Sequence, residues 1–402
     1  MNLLIISILL LPLTTFAFKA EVSGNLELQG RRSWNNEEAK APPLFQDWDE
    51  DDFYLGYGNL NAKLEFASSR LEANWFVRHS RSDLYQPAPL LGQNREPYLV
   101  TNIFTFPNRL VARDIFQLQH RRQEDGALTE SVLNKFYYEW STDEHRFTLG
   151  RMYINYGLGE IFNPINPFNQ PTGLTSISQV AQGNDGGAIS FFMSDNYTIN
   201  FYLLGDKRIE GYDGQINKTL WVHGEYQASE KLQLDYVVGE DQNRHKLGGQ
   251  LSYQFEEAMF FTQVLYQTNY VNKKPSHNLW DLLLGYDQQL TGKWHLRGEA
   301  GYQKNNRYAD LSTFGERFLP TEYFVALANI YEIHPLAKVS GTVVNDIKSG
   351  FTYLIARSTL SLSENVEGEI FGFTPISKGD ATDNPIQRLV TTDVGLALRA
   401  FF

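Results

Sequence analysis

Most of the chain alternates between apolar and polar residues with a period of two. In one segment Leu247, Leu251 and Tyr253 alternate with the polar residues Gln250 and Ser252. Such alternation is typical of β-strands whose two faces meet different surroundings. The alternating segments extend over roughly ten residues, which suits a tilted membrane strand of about 9–11 residues better than an ordinary globular strand of about 5–6.

The number of these segments and the lengths of their connections predict the architecture. We expect about eighteen strands, or sixteen if the weak segments 21–34 and 366–373 are not strands, since bacterial outer-membrane barrels have an even number. Short connections such as 67–69 alternate with long ones such as 35–51 and 206–217. The chain is therefore predicted to be all-β, a single transmembrane antiparallel β-barrel with short periplasmic turns and long extracellular loops.

The first residues are predicted to be a secretory signal peptide. The apolar run 3–13 is shorter than the ~20 residues of a membrane-spanning helix, and Ala17 ends an acceptable small-residue cleavage site. We expect residues 1–17 to be removed and residues 18–402 to form the barrel, which places the mature protein in the outer membrane of a Gram-negative cell.

The last segment has an apolar face and an aromatic end. Val394, Leu396 and Leu398 lie on one face, and the chain ends on Phe402. This resembles the C-terminal signature of Gram-negative outer-membrane proteins. The resemblance implies that Phe402 is an assembly signal for the barrel assembly machinery.

Composition excludes several classes of function. The net charge is −12, from 35 Lys and Arg against 47 Asp and Glu, so nucleic acid is not an expected partner. The chain has no cysteine, which excludes disulfides and thiolate metal sites. We predict no cofactor. The acidic loop 35–52 contains Asp47, Asp49 and Asp51, which could bind a divalent cation or bridge lipopolysaccharide through one, although a solvated acidic loop is the favoured interpretation.

If the apolar face meets lipid, the polar face lines the lumen. The predicted pore-lining residues form a largely basic wall, an acidic wall and one further arginine: Arg78, Lys135, Arg146 and Arg151; Glu225, Asp235 and Asp287; and Arg297. Opposed charged walls would produce a transverse field that orients polar solutes. The alternative is ordinary ion pairing along the wall. Strict alternation points Arg151 at lipid, so its inward position requires a bulge at Gly150.

One region carries a resemblance to known barrels. It contains Leu149-Gly150-Arg151, Asn155-Tyr156-Gly157 and the run Asn163-Pro164-Ile165-Asn166-Pro167-Phe168. It resembles a broad group of Gram-negative barrels with a Leu-Gly-Arg-Gln, Asn-Trp-Gly and Asn-Pro-Xaa-Asp-Xaa-Phe pattern, related to alginate-export-type eighteen-stranded barrels and porin-like proteins. It departs from that pattern at Met152, Tyr156 and Asn166. The resemblance implies a secretion or uptake channel without naming a substrate.

Two long connections are predicted to fold into the barrel. Prolines stop strand pairing in 157–184, and its apolar side chains need cover, so we expect a constriction loop rather than an extracellular one. The predicted constriction residues are Phe162, Asn163, Pro164, Asn166 and Phe168. The other connection, 81–130, is too long for a plain loop and is also expected to turn inward.

These features favour a porin-like channel for diffusion or export of polar solutes or a polymer. The alternative is a structural or sleeve barrel that serves a partner export complex in the periplasm. An outer-membrane hydrolase is less favoured, because only His223 and His295 lie on inward faces of strands and no nucleophile motif accompanies them. The expected partners are outer-membrane lipid, lipopolysaccharide, the barrel assembly machinery and the transported solute or polymer.

Overall fold

The polypeptide forms a closed antiparallel β-barrel in a computed structural model. The structure describes residues 18–34, 50–81, 111–113, 115–116, 118–124, 127–168, 183–206, 217–241, 244–271, 274–303, 322–348, 350–377 and 392–402. The predicted signal peptide lies outside these residues, as do Asp47 and Asp49 of the acidic loop. Within the described ranges no helix is long and apolar enough to cross a bilayer.

Twenty strands occur in the described residues. They are β1 (Phe18–Trp34), β2 (Glu50–Phe66), β3 (Ser69–Arg81), β4 (Val111–Arg113), β5 (Gln119–Glu124), β6 (Ala127–Ser141), β7 (His145–Tyr153), β8 (Gly183–Ser194), β9 (Tyr197–Asp206), β10 (Asn217–Ser229), β11 (Leu232–Asp241), β12 (Arg244–Phe255), β13 (Ala258–Val271), β14 (Lys274–Thr291), β15 (Trp294–Gln303), β16 (Tyr323–His334), β17 (Ala337–Asp346), β18 (Thr352–Ser363), β19 (Val366–Ser377) and β20 (Thr392–Phe401).

Eighteen of these strands form the wall, and β4 and β5 are additional. Each wall strand pairs antiparallel with its neighbours, β3 pairs with β6, and β1 pairs with both β2 and β20, which closes the barrel. The two segments that were weak in the sequence are β1 and β19. Because both pair on two sides, the prediction of eighteen strands is confirmed and sixteen is wrong.

The two faces of the wall differ as the alternation predicts. Leu247 and Leu284 are 59% and 63% exposed on the outer face, whereas Gln250 and Gln263 are buried on the inner face. A water-soluble protein would reverse this arrangement, because apolar side chains drive burial away from water. An apolar outer surface around a polar interior is the arrangement of a barrel that lies in lipid.

The two rims differ in their connections. On one rim, which we call the turn rim, the connections are short, as at 67–68 and 195–196. On the other, the loop rim, the lengths vary: 154–182 is long, but only 242–243 separates β11 from β12, and only 272–273 separates β13 from β14. These strands stay paired up to the connection, so the loop rim contains short connections at these two places.

The chain ends at the seam that closes the barrel. The backbone of Phe402 exchanges two hydrogen bonds with Gly24, at 2.9 and 3.0 Å. A Cβ atom at Gly24 would lie 2.6 Å from the Phe402 ring and 2.5 Å from the carbonyl oxygen of Asn59. The terminal aromatic ring therefore occupies space that only glycine leaves on β1.

Substituting Gly24 by Ala is expected to impair closure, because forcing atoms into a filled site costs about 1–3 kcal/mol. Gly30→Ala is the matched control, since the nearest atoms to a Cβ there are 4.0 Å away on the Tyr54 ring. Heat-modifiable mobility in gels measures the assembled fraction. It should fall for Gly24→Ala and for deletion of Phe402, and stay at the parent value for Gly30→Ala. If the parent, both single substitutions and the Phe402 deletion assemble to the same extent, the contact between Phe402 and Gly24 is not needed to close the barrel.

A short section of wall is built from the connection between β3 and β6. β7 leaves the wall after Tyr153, and the described residues 111–113, 115–116 and 118–124, which we call the wall insert, take its place beside β6 and β8. In the insert β5 pairs with 127–132 of β6, and β4 pairs parallel with Gly183 and Asn184 of β8. β4 and β5 of the insert thus pair with wall strands, whereas 82–110 lies outside the described residues, so inward folding of the 81–130 connection stays a prediction there.

Candidate constriction of the lumen

Residues 154–168, which follow β7, leave the wall and cross the barrel interior. We call them the inward segment. Leu158 and Glu160 contact β12 and β15, and the ring of Phe162 meets that of Phe324 on β16 edge-on, with centroids 6.0 Å apart. Ile161 and Phe162 are buried in an apolar cluster with inward side chains of β13, β14 and β16 to β20. The segment therefore has its own packed contacts inside the barrel.

The order of strands shows how far the inward segment reaches. Counting around the wall from β7, β16 is the ninth strand in either direction, and β15 is the eighth in the shorter direction. The segment therefore leaves one side of the barrel and touches the opposite side. A chain that crosses a barrel of this size divides the lumen, which would otherwise be wide enough for an aqueous channel.

Glu299 on β15 anchors the tip of the inward segment. Its carboxylate accepts hydrogen bonds from the backbone N–H groups of Glu160, Ile161 and Phe162, at 2.7, 3.0 and 3.2 Å. Three donors on one buried carboxylate form a set of charge-assisted hydrogen bonds, which are stronger than neutral ones. Arg297 adds a bond to the carbonyl oxygen of Leu158.

Arg297 links this anchor to other charges. Its guanidinium lies 2.8 Å from Asp287, 3.0 Å from Glu299 and 3.2 Å from Glu160. The side chain of Glu160 is 62% exposed in this ion pair. Glu160 thus places a carboxylate at the tip of the segment where it meets solvent.

A second anchor lies on β12. The side-chain oxygen of Gln250 accepts the N–H of Leu158 at 2.9 Å. The amide nitrogen of Gln250 donates to Asp235 at 2.6 Å. Asp235 therefore supports the inward segment through Gln250, in addition to lying on the inner face where the sequence predicted it.

The return leg of the segment folds back on its own beginning. The side-chain amides of Asn163 and Asn166 donate to the carbonyl oxygen of Tyr156, at 2.7 and 3.2 Å. Phe168 packs edge-on against Trp221 of β10, with ring centroids 5.5 Å apart. The predicted constriction residues Phe162, Asn163, Pro164, Asn166 and Phe168 are all buried. The part of the predicted loop at 169–182 lies outside the described residues.

The predicted basic wall is made of ion pairs. Arg78 pairs with Glu130, Lys135 with Glu72, and Arg146 lies 3.9 Å from Glu139. On the other side, Glu225 accepts a hydrogen bond from Gln233 at 3.2 Å, and Asp287 pairs with His295 and Arg297. Arg78, Lys135, Arg146 and Asp287 thus have ion-pair partners on neighbouring strands, whereas the partner of Glu225 is a neutral glutamine. Whether the two walls produce a transverse field stays a prediction.

Arg151 has a different place from the expected one. Its side chain is fully buried against Asp185, also fully buried, with Nε–Oδ1 at 2.5 Å and Nη2–Oδ2 at 2.8 Å. Gly150 has a φ of +130°, which favours glycine, but the pairing of β6 with β7 continues there without a register shift. The expected bulge is therefore absent, and Arg151 does not contact solution in the lumen.

Sequence reasoning missed several residues that build this site. Glu299 and Gln250 lie on inward faces by alternation, but nothing in the pattern marks them as anchors. Glu160 and Asp185 lie in or beside irregular segments without a period. Among the described residues no group of three His, Asp or Glu side chains is placed to hold a metal ion.

The comparisons with known proteins agree with the geometry. The fold is that of Occ/OprD-family outer-membrane porins, which have eighteen-stranded barrels. The chain is similar to OccAB4 of Acinetobacter baumannii, with a TM-score of 0.56, 8% identity and coverage of 96% of this chain and 99% of that one. It is also similar to OccK9 (OpdG) of Pseudomonas aeruginosa, with a TM-score of 0.56, 11% identity and coverage of 96% and 98%.

A third similar structure is a BenF-like porin from Pseudomonas fluorescens Pf-5, with a TM-score of 0.56, 8% identity and coverage of 96% of this chain and 98% of that one. No protein-family model and no curated protein sequence matches the chain. At identities this low, the similarity establishes the fold alone.

Proposed function

We propose that the protein is an outer-membrane channel through which small polar solutes diffuse past the inward segment. The observation that carries this proposal is the inward segment itself, which crosses from β7 to β15 and is held there by Glu299. A purely structural barrel has no need of a segment anchored across its interior. The similarity to solved porins supports the same function.

The chemistry of the interior favours passage of polar rather than apolar solutes. The inner face carries ion pairs along the basic wall, and Glu160 presents an exposed carboxylate at the tip of the segment. Such groups replace part of the hydration of a passing solute and release it readily, because each site binds weakly. We propose diffusion without covalent chemistry. Outer-membrane lipid and lipopolysaccharide surround the barrel, and the barrel assembly machinery inserts it.

The test is ion conductance of the purified, refolded protein in planar bilayers, combined with swelling of proteoliposomes in sugars of increasing size. We expect discrete current steps, and swelling only with small sugars. A heat-modifiable, correctly folded protein that passes neither ions nor sugars would contradict the channel.

Export of a polymer is the second candidate, supported by the resemblance of residues 149–168 to alginate-export-type barrels. In that case, or for a sleeve around a periplasmic export complex, the inward segment would have to move aside. Conductance that remains negligible until a periplasmic partner is added would favour this alternative over free diffusion.

A further inference from the structure

Arg151 and Asp185 face each other on the paired strands β7 and β8, at the base of the inward segment. We call this place, where the chain leaves the wall after β7 and returns to it at β8, the neck. β7 ends at Tyr153, just beyond Arg151, and β8 begins at Gly183, just before Asp185. The pair therefore lies where the chain leaves the wall and where it returns. Neither side chain was needed to explain the anchors at the segment's tip.

The pair also binds two other parts of the wall. The third guanidinium nitrogen, Nη1 of Arg151, donates to the carbonyl oxygen of Leu133 on β6 at 3.0 Å. Oδ2 of Asp185 accepts the backbone N–H groups of Ile115 and Phe116 in the wall insert, at 2.7 and 2.8 Å. One buried ion pair thus joins β6, β7, β8 and the wall insert.

The wall depends on the insert at this place. β6 pairs with β7 only through residues 136–141, and its residues 127–132 pair with β5 instead. Phe116 and Leu118 of the insert are 46% and 37% exposed, as are other apolar side chains of the outer face. The insert is therefore a section of wall that is held to the neck by side-chain and not only by strand hydrogen bonds.

We propose that Arg151 and Asp185 are a positioning pair that couples the seating of the wall insert to the position of the inward segment. This inference rests on the proposed channel function. A buried guanidinium that loses its carboxylate is strongly unfavourable. Loss of Asp185 also removes the acceptor of the insert's two N–H groups, so the insert is released. Because Arg151 then no longer holds β7 against β8, the neck widens. In the parent, the insert bound to Asp185 fixes the neck and thereby keeps the inward segment in its narrowing position.

The coupling can be measured without transport, because the chain has no cysteine of its own. One probe is Ile115→Cys in the half-buried part of the insert, and the other is Phe162→Cys at the buried tip of the inward segment. Their reaction with a water-soluble maleimide is followed in the folded protein. With Asp185→Asn, we expect both thiols to react roughly tenfold faster or more, as for a locally opened segment.

The matched control is Glu139→Gln, which removes a carboxylate that pairs with arginines near the turn rim of β6 and β7. It should leave both reaction rates at the parent value. If Asp185→Asn fails to assemble, Arg151→Lys replaces it, because lysine keeps the charge but cannot make the three-way contact. Faster reaction of Ile115→Cys alone, or of neither thiol, would overturn the coupling.

A charge swap separates this coupling from a simple brace between β7 and β8. The double variant Arg151→Asp, Asp185→Arg restores an ion pair, but arginine cannot accept the two N–H groups of the insert. We expect both thiols to react as fast in the swapped variant as in Asp185→Asn. If both rates instead return to the parent values, the pair only braces β7 against β8 and does not act through the insert. Single-channel current is recorded in parallel. A parent that reacts as expected but passes no current would contradict the proposed function and leave the coupling supported.

Discussion

Replacing residues 158–165 by two glycines is expected to raise single-channel conductance by at least ~2-fold, since an eighteen-stranded barrel without a constriction has room for an aqueous channel. The replacement removes the part of the inward segment that touches β12 and β15. Its ends are close together, because Asn166 donates to the carbonyl oxygen of Tyr156 at 3.2 Å. The barrel should therefore close and assemble as in the parent.

The control for this deletion is a chain in which residues 158–165 are replaced by glycine and serine at constant length. This variant keeps the same number of residues but loses Glu160 and the apolar contacts of Ile161 and Phe162. We expect an intermediate mean current with large fluctuations. If the two-glycine variant and the glycine–serine variant both fold and both keep the parent's conductance, the inward segment does not narrow the channel.

Substituting Glu299 by Gln is expected to loosen the inward segment without removing it. Glu299 accepts three backbone N–H groups, and hydrogen bonds to a charged group contribute about 1.5–3 kcal/mol each. The neutral amide keeps one acceptor oxygen, so part of that stabilisation is lost and Arg297 loses a charge partner. The expected result is a current that switches between the parent level and larger levels.

Glu65→Gln is the matched control for this substitution, because Glu65 is a carboxylate of the inner face that pairs with Lys63. It should change ion selectivity at most slightly and leave the current steady. Switching in both variants would mean that it reflects a general loss of negative charge in the lumen. A steady current in Glu299→Gln would contradict its role as the anchor.

The strands were predictable because the wall is periodic. Each wall strand needs apolar residues toward lipid and tolerates polar ones inside, so alternation persists along every strand. Even β1 and β19, which look weak in sequence, are held on both sides by neighbours. Pairing with neighbours, more than local propensity, decides such strands.

The site was less predictable, because its contacts join residues far apart in sequence. The N–H of Glu160 meets Glu299, 139 residues away, and no local pattern marks such a pair. The wall insert was missed for a similar reason: its pairing with β6 and β8 becomes available only where β7 leaves the wall. The sequence did signal that residues around Phe162 fold inward. Prolines there disfavour strand pairing, and the apolar side chains need burial.

The most direct test of a channel narrowed by the inward segment uses Glu160→Cys, because this side chain is exposed at the segment's tip and the chain has no other cysteine. A charged methanethiosulfonate reagent is added while the current through single channels is recorded. The prediction is a discrete fall in current for Glu160→Cys that persists after the reagent is washed out and is reversed by a reducing agent, and no change for the parent or for Leu284→Cys on the outer face. A current that persists unchanged after complete modification of Glu160→Cys would contradict the account.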